Sequence, residues 1–312
     1  MSAVSVLSRP DTYQDLSVDF RLSSEQTATA TGRLTGPAGA PVTIVLGGIS
    51  AGVCVQDDAT HKGWWRQQVG PNKALDTRFN RVLSFEFLDD QARSLPTTTD
   101  QADALLALAD RAGIETFSIV GASYGGMIAL ALAVLAPKRV KSALVISAAH
   151  KPSAMAQAWR SIQRETVELA LRSGDGAAGL DLARRLAMTT YRTPGELEGR
   201  FFEPEATSRD AAGIVPYLRS RGHKFIEQVR PERFLALSRS LDAHDVSVRK
   251  IECKVTYLAV AEDQLVPIEQ IAEAASRTPD SKLTVISSRY GHDAFLKENE
   301  LISEALSQFI ET

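Results

Sequence analysis

The chain has 312 residues, of which 44% are hydrophobic and 23% charged, and a formal net charge of −3. This composition is typical of a folded globular protein and excludes an intrinsically disordered chain. A net charge this small provides no basic field, so we expect neither nucleic acid nor a membrane surface as a partner.

The N-terminal segment MSAVSVLSRPDTYQDL has no basic region followed by a long apolar one, so we expect no signal peptide. No apolar run reaches the length of a membrane span. Cys54 and Cys253 are too few for a disulfide framework and are interpreted as small buried side chains. These features together predict a cytoplasmic protein.

Six short runs rich in β-branched residues predict strands. They are almost continuously apolar, as in parallel strands covered on both faces. The runs are VTIVLGG (42–48), RVLSFEF (81–87), FSIVGAS (117–123), SALVISAA (142–149), KVTYLAV (254–260) and KLTVIS (282–287). Residues 12–36, which precede them, are typical of an antiparallel hairpin at the edge of a sheet.

Helical patterns separate several of these strands. Thr98 and Gln101 have the spacing of a capping box that opens a helix, and Gly113 predicts the end of that helix. MIALALAVLA (127–136) is apolar on all sides and is expected to be buried. DAFLKENELISEALSQFI (293–310) predicts one amphipathic helix against the sheet. The alternation predicts an α/β fold with a doubly wound, mostly parallel central sheet.

About a hundred residues separate the sixth strand from the seventh, where such a fold needs only a few. We interpret the interval as a lid inserted into the sheet domain, because four of its segments are helical in pattern. They are SAMAQAWRSIQRETVELALRSG (153–174), AAGLDLARRLAMTTYR (177–192), PGELEGRFF (194–202) and PERFLALSRSLDAHD (231–245). The predicted boundaries are 1–150 and 245–312 for the core and 151–244 for the lid.

Gly121-Ala-Ser123-Tyr-Gly125 matches the pattern G-x-S-x-G. The pattern alone is a weak indicator, because chance places it in a chain of this length about one time in ten. Its context is stronger, since a predicted strand leads into it and a predicted helix follows it, which forces a sharp turn with the serine exposed. Ser123 is therefore the candidate nucleophile, and the alternative is a packing turn without chemistry.

A serine hydroxyl needs a base that takes its proton. His292 follows the last predicted strand and precedes a helix, which fits the α/β-hydrolase order of serine, acid and histidine, and His150 is the alternative. Asp263, in a turn just past the seventh strand, is the predicted acid and is favoured over Glu262. The other histidines are interpreted as surface or structural side chains: His61, His223 and His244.

Two backbone N–H groups are expected to form an oxyanion hole. One belongs to Tyr124, the residue after the candidate nucleophile. The other is expected in the Gly-Gly loop after the third strand, where Gly48 is favoured over Gly47. No metal site is predicted.

Motifs along nearly the whole chain resemble the homoserine O-acyltransferase family of the α/β-hydrolase superfamily. They are GGIS (47–50), GWW (63–65), VGPNKALDT (69–77), GASYGGM (121–127), ISAAH (146–150), GLDLARRLAMTTYRT (179–193), LDAHDV (241–246) and GHDAFL (291–296). The resemblance implies an α/β-hydrolase fold with a helical lid and transfer of an acyl group from acyl-CoA to the hydroxyl of L-homoserine, in methionine biosynthesis. It also implies an acyl-serine intermediate, no permanently bound cofactor and a homodimer.

The resemblance further implies ligands for the zwitterionic substrate. Asp293 would hold the amino group of homoserine, and Arg184 in a lid helix would hold its carboxylate, with Arg185 as the alternative. This sequence is a short form of the family that carries GGIS and GASYGG. In this respect it resembles the succinyl-transferring branch more than the acetyl-transferring one. O-acetylation of homoserine, acyl transfer to serine, ester hydrolysis and a binding role without catalysis remain as alternatives.

Overall fold

An eight-stranded sheet forms the centre of the molecule in the computed structural model. The structure describes residues 13–22, 24–89, 95–202 and 213–311. Most of the segment on which the signal-peptide expectation depends lies outside the described residues, as does part of the connection between the fourth strand and the next helix.

The strand order across the sheet is β1-β2-β4-β3-β5-β6-β7-β8. β1 pairs with β2 and β2 with β4 in antiparallel fashion, and every pairing from β4 to β8 is parallel. The predicted α/β class, the mostly parallel sheet and the edge hairpin are therefore confirmed. The strands are β1 (Tyr13–Arg21), β2 (Thr27–Thr35), β3 (Val42–Leu46), β4 (Arg81–Phe85), β5 (Phe117–Ala122), β6 (Val140–Ile146), β7 (Lys254–Val260) and β8 (Ser281–Ile286).

The described helices fall into two groups along the chain. The lid helices lie between β6 and β7, inside the interval 151–244: α3 (Ala154–Arg172), α4 (Gly176–Tyr191), α5 (Pro194–Phe201), α6 (Ile214–Ile226) and α7 (Pro231–Asp242). The helices of the sheet domain are α1 (Thr98–Arg111), α2 (Tyr124–Leu135), α8 (Ile268–Arg277), α9 (Ala294–Lys297) and α10 (Asn299–Ile310). No described helix is both long enough and apolar enough to cross a membrane.

Two helix predictions need correction. The capping box of α1 uses Thr97 and Asp100, one residue earlier than predicted, because the amide of Gln101 is hydrogen bonded to the backbone N–H and C=O of Leu88. The prediction of a single C-terminal helix is wrong, because the chain leaves the helical conformation between α9 and α10. The break is at Glu298, which has a non-helical ψ of 71°. The carboxylate of Glu298 accepts a hydrogen bond from Ser288 Oγ at 2.6 Å, which ties the break to the loop after β8.

The core lies on both faces of the sheet, and α2 is its most buried helix. Its residues from Tyr124 to Ala133 are all buried, as its continuous apolar sequence predicts. α2 starts at the C-terminal end of β5, beside the ends of β3 and β6. The first turn of α2 is therefore held at the edge of the sheet where the loops after parallel strands converge.

Candidate active site

Ser123 links β5 to α2 in a strained backbone conformation, with φ 55° and ψ −120°. A positive φ at a residue with a side chain costs about 1–2 kcal/mol and persists only where the surroundings fix it. Here the N–H of Ser123 donates to Ile146 O at 2.9 Å, which anchors the turn to the end of β6. The serine is thus held at the tip of the turn.

The glycines around Ser123 are required by close packing. A Cβ added to Gly121 would lie 2.2 Å from Gly125 O, and one added to Gly125 would lie 2.5 Å from Leu46 Cβ. Both distances are too short for any side chain, so α2 can approach β5 and β3 only with glycine at these positions. The G-x-S-x-G pattern therefore reflects the geometry of this turn.

Ser123, His292 and Asp263 form one hydrogen-bonded set. Ser123 Oγ lies 2.8 Å from His292 Nε2, and His292 Nδ1 lies 2.8 Å from Asp263 Oδ2. The three residues follow β5, β8 and β7 respectively, so three loops at one edge of the sheet bring them together. This is the arrangement in which an imidazole takes the proton of a serine hydroxyl.

The surroundings of Asp263 fix the orientation of the imidazole. Asp263 Oδ1 accepts hydrogen bonds from the N–H groups of Leu265 and Val266 at 2.9 and 3.0 Å, which leaves Oδ2 for His292. An ionised carboxylate only accepts, so Nδ1 of His292 carries the hydrogen and Nε2 accepts from the serine hydroxyl. Burial lowers the pKa of His292, but the charge and hydrogen bond of Asp263 outweigh it, and the pKa is raised overall.

The alternative acid and base lie outside this set. Glu262 accepts hydrogen bonds from Ser287 Oγ at 2.5 Å and Ser288 N at 2.8 Å, so it braces the loop after β8. The ring of His150 is buried, with Nε2 4.0 Å from Glu273. The structure therefore places Asp263 and His292, and neither alternative, next to Ser123.

Gly48 and Tyr124 flank the serine hydroxyl. The Cβ position of Gly48 lies 4.0 Å from Ser123 Oγ, whereas the carbonyl of Gly47 accepts a hydrogen bond from Gly125 N at 2.9 Å. Within the described residues, the N–H groups of Gly48 and Tyr124 have no backbone acceptor. Two free N–H groups beside the nucleophile can stabilise a tetrahedral oxyanion.

An outer cleft of about 310 Å³ opens above Ser123 and His292. Arg184 on α4 lines it, with its guanidinium 5.4 Å from the ring of Tyr191 and 4.6 Å from that of Phe225. Arg185, the alternative, forms an ion pair with Asp181 one turn earlier on α4. Arg184 is thus the member of the pair that faces the cleft.

Asp293 also lines the outer cleft, beside a cation that the sequence analysis missed. Its Oδ2 lies 2.9 Å from Nε of Arg192, and Nη1 of Arg192 lies 3.5 Å from Glu196. Arg192 is 4% exposed, and a buried guanidinium needs such partners. The signal in the sequence was its place in TTYRT, at the junction of two predicted lid helices.

The outer cleft carries an excess of positive charge. Arg221 on α6 and Lys297 on α9 line its exposed part, in addition to Arg184 and Arg192 deeper inside. Partial burial of the ammonium group and the charge of the neighbouring arginines, Arg192 first, lower the pKa of Lys297. Asp293 is the one carboxylate among the described lining residues. The cleft therefore favours an anionic ligand.

Cys54, Asp58 and His61 form the one group of possible metal ligands within the described residues, with ligand atoms within 4.8 Å of one another. Arg33 already donates to Asp58 at 2.8 Å and lies 3.4 Å from Cys54 Sγ. This guanidinium supplies the positive charge of the group, so we assign no metal to it. Cys54 is only partly buried, which corrects its interpretation as a buried side chain, whereas Cys253 is buried.

Comparison with known proteins identifies close relatives. Residues 67–299 match the family model described as alpha/beta hydrolase fold. A homoserine O-succinyltransferase of Xanthomonas campestris pv. campestris is 36% identical over 287 residues, which cover 89% of this chain and 78% of that protein. A homoserine O-acetyltransferase of Thermus thermophilus is 30% identical over 282 residues, which cover 80% of this chain and 72% of that protein.

The fold is also that of a solved structure. The crystal structure of homoserine O-acetyltransferase from Bacillus anthracis aligns with a TM-score of 0.85 at 17% identity, over 97% of this chain and 98% of that one. At this identity the similarity concerns the fold alone.

Proposed function

Because the chain belongs to the homoserine O-acyltransferase family of α/β hydrolases, we propose that it transfers an acyl group, preferentially succinyl, from acyl-CoA to the hydroxyl of L-homoserine. The observation that carries this proposal is the hydrogen-bonded set of Ser123, His292 and Asp263 at the base of a cationic cleft. Ser123 forms an acyl-enzyme between the two halves of the reaction.

In the first half, His292 accepts the proton of Ser123 as Oγ attacks the thioester carbonyl of acyl-CoA. The N–H groups of Gly48 and Tyr124 stabilise the oxyanion, and each such donor contributes about 3 kcal/mol. The tetrahedral intermediate collapses, the carbon–sulfur bond breaks, and the imidazolium returns its proton to the thiolate of CoA. Asp263 keeps the imidazole oriented and stabilises the imidazolium.

In the second half, homoserine replaces CoA in the outer cleft. His292 deprotonates the side-chain hydroxyl, which attacks the acyl-serine, and the same proton then restores Ser123 Oγ. Asp293 and Arg184 are the proposed partners of the amino group and the carboxylate, because they offer opposite charges within one cleft. An ester without charged groups would make no use of this pair.

The charge of the outer cleft supports a coenzyme as the donor. Acyl-CoA carries phosphate groups, and the exposed Arg221 and Lys297 provide cations that can contact phosphate without closing the path to Ser123. The preference for succinyl follows the relative of 36% identity, a homoserine O-succinyltransferase. Acyl transfer to serine differs by one methylene of the acceptor, which is worth about 1–3 kcal/mol of discrimination.

The test is a transfer assay with purified protein, succinyl-CoA or acetyl-CoA, and L-homoserine, L-serine or no acceptor. We expect rapid CoA release with homoserine, O-acylhomoserine as the product by mass spectrometry, and an acylated Ser123 peptide when the acceptor is omitted. CoA release at the same rate without an acceptor would instead identify a hydrolase, and faster release with serine would identify a serine acyltransferase.

Replacing the nucleophile gives the sharpest variant. We expect S123A to lower kcat for acyl transfer by about 10⁴-fold or more, because no other described group holds its oxygen against His292 Nε2. S118A is the matched control, since Ser118 lies on the same strand and is paired with Ser142 at 3.0 Å. Acyl transfer by a folded S123A variant at the rate of S118A would refute the acyl-serine mechanism.

A further inference from the structure

The turn between α4 and α5 contacts the loop that carries His292. Thr193 Oγ1 in this turn donates a hydrogen bond to Arg289 O at 2.6 Å. Gly291 has a φ of +56°, and a Cβ added to it would lie 3.2 Å from Tyr191 O. The loop residues just before His292 are therefore fixed against the end of α4, so a side chain in this turn can act on the active site.

Arg192 is the charged residue of this turn, and it is 4% exposed. It follows α4 in an extended conformation, with φ −108° and ψ 149°. Its guanidinium lies 5.6 Å from the ring centre of Tyr290, and its Nε lies 2.9 Å from Asp293 Oδ2. Arg192 thus contacts the loop on both sides of His292.

Two carboxylates are paired with Arg192. Asp293 is one, and Glu196 in α5 is the other, 3.5 Å from Nη1. Glu196 has a second cation, because Arg200 Nη1 lies 3.7 Å from it. Within the described residues, Asp293 forms an ion pair with Arg192 alone. Loss of Arg192 would therefore leave Asp293 without an ion-pair partner, whereas loss of Arg200 would not.

The ion pair with Arg192 engages one oxygen of Asp293. Oδ2 lies beside Arg192, and no described residue donates a hydrogen bond to Oδ1. The side chain of Asp293 is 13% exposed and lines the outer cleft together with Ser123. A carboxylate accepts hydrogen bonds at both oxygens, so Oδ1 is available to a donor in the cleft. A carboxylate that is fixed through one oxygen presents the other in a defined direction.

We propose that Arg192 is a positioning residue, which holds Asp293 so that Oδ1 receives the ammonium group of the acceptor. The proposal rests on the proposed acyl transfer to homoserine. Arg192 acts through Asp293, and the pair selects an α-amino acid over a hydroxy acid of the same length that has no ammonium group.

The charge of the outer cleft explains why Asp293 needs a fixed partner. Arg184, Arg221 and Lys297 also line the cleft, in which Asp293 is the one carboxylate among the described lining residues. Without Arg192, Asp293 would turn toward one of these cations, and its oxygens would no longer face the acceptor. A site with an oriented acceptor for an N–H group rejects the analogue that lacks this group far more strongly than an apolar pocket rejects a missing methylene.

The experiment compares acceptors that share the reacting hydroxyl. L-homoserine has both charged groups, 4-hydroxybutanoate lacks the ammonium group, and 3-aminopropan-1-ol lacks the carboxylate. For the wild type and each variant, kcat/KM is measured for all of these acceptors with whichever of succinyl-CoA and acetyl-CoA the wild type prefers. The burst of Ser123 acylation is measured without an acceptor, and circular dichroism establishes that the variants are folded.

We expect R192Q to lower kcat/KM by about 50-fold with homoserine and with 3-aminopropan-1-ol, because the carboxylate that binds their ammonium group is no longer held. With 4-hydroxybutanoate, kcat/KM should change by less than about 3-fold, and the acylation burst should keep the wild-type rate, since neither uses Asp293. R192K keeps the charge without the planar fork, so it retains part of the preference for the ammonium group. It replaces R192Q if that variant does not fold.

R200Q is the matched control for R192Q. Arg200 shares Glu196 with Arg192 but does not line the outer cleft, so R200Q should keep the wild-type ratio of homoserine to 4-hydroxybutanoate. A double-mutant cycle with D293N tests whether Arg192 acts through Asp293. In the D293N background, R192Q should lower kcat/KM with homoserine by less than about 3-fold.

The outcomes separate the two proposals. A wild-type protein that forms no acylhomoserine from either donor overturns the proposed function. If the wild type transfers acyl groups and R192Q loses homoserine and 4-hydroxybutanoate equally, the positioning role is overturned and Arg192 binds the acceptor carboxylate instead. A slower acylation burst in R192Q also overturns it, because Arg192 would then support the loop of His292 as a whole.

Discussion

Each residue of the Ser123–His292–Asp263 set is oriented by backbone contacts of its own. Ser123 is tied to Ile146 O, and both oxygens of Asp263 are directed by two loop N–H groups and the imidazole. Fixing the groups in advance means that little conformational freedom is lost when substrate binds. The strained φ of Ser123 is part of the same arrangement, in which Oγ makes no capping hydrogen bond to α2 and is left for His292.

The raised pKa of His292 predicts the pH dependence of acyl transfer. His292 acts as a base only when neutral, so a pKa above the ordinary value moves the acidic limb of kcat/KM above about pH 6.5. D263N removes the charge that raises this pKa and the acceptor that fixes the tautomer. We expect it to move the limb to lower pH and to lower kcat by about 10⁴-fold, as measured by CoA release from pH 5 to 9.

E262Q is the matched control for D263N. Glu262 is the adjacent carboxylate, but it is bonded to Ser287 and Ser288 rather than to the imidazole. The acidic limb of the kcat/KM profile of E262Q is expected to coincide with that of the wild type. If E262Q and D263N move the limb equally, the charge of Asp263 is not what raises the pKa of His292.

The reacting residues were predictable from sequence, whereas Arg192, the buried cation beside Asp293, was not. Ser123, Asp263 and His292 each follow a strand, so the chain order places them at one edge of a parallel sheet. Arg160 and Arg192 lie in the lid, whose helices have no shared register that fixes which faces meet. Sequence spacing therefore indicated the helices of the lid without indicating which of its arginines reach the site.

At the scale of single elements, α3 has an inverted pattern of burial, with Arg160 on its inner face. Its buried residues are Ala156, Arg160, Gln163 and Val167, at the spacing of one helix face. Its large apolar residues Met155, Ile162 and Leu169 are more than half exposed. An analysis that assigns apolar residues to the inside therefore places this helix the wrong way round.

Replacing either of two glycines at helix ends by alanine should change the free energy of unfolding, and in opposite directions. Gly113, just after α1, has a φ of +66°, and an added Cβ would meet nothing within 4 Å, so only the backbone conformation opposes a side chain. We expect G113A to lower the free energy of unfolding by about 1 kcal/mol. Gly195 in α5 also has open space around an added Cβ, but its φ is ordinary. We therefore expect G195A to raise the free energy of unfolding by about 0.5 kcal/mol.

Urea denaturation of both variants measures these changes, and neither glycine lines the outer cleft. Acyl transfer by the two variants should therefore match the wild type. A stabilised G113A would show that the end of α1 relaxes out of the left-handed conformation.

For the whole molecule, the sheet was predictable because each strand is a separate apolar run of ordinary length. The lid was predictable as a helical insertion, but α6 (Ile214–Ile226) was not identified. Its sequence IVPYLRSRGHKFI contains a proline and a glycine, which both oppose helix in an isolated segment. Packing against α4, where Gly222 lies against Asp181, holds this helix in place. The expected homodimer stays a prediction.

The two ends of the lid meet the core at a pair of buried histidines. His150 follows β6, where the lid begins, and His244 follows α7, where it ends. His244 Nδ1 lies 2.8 Å from Thr98 Oγ1 at the start of α1, so this histidine joins the lid to the sheet domain. Burial and the neighbouring His150 lower the pKa of His244 to about 3, and burial also lowers that of His150.

These lowered values predict that acid destabilises the junction of lid and core. An unfolded chain binds a proton at His244 below about pH 6.5, whereas the folded protein does so only near pH 3. The stabilisation is therefore complete above pH 6.5 and is lost as pH falls, at about 1.4 kcal/mol per pH unit. H244Q removes this titration. We expect H244Q to have a lower free energy of unfolding than the wild type at pH 7.5. Between pH 6 and 4.5, this difference should shrink by about 1.4 kcal/mol per pH unit. The free energies come from urea denaturation at each pH.

H223Q is the control, because His223 is exposed on α6 and its loss should leave the wild-type slope unchanged. Parallel curves for H244Q and wild type would mean that the junction opens and hydrates before the imidazole takes up its proton.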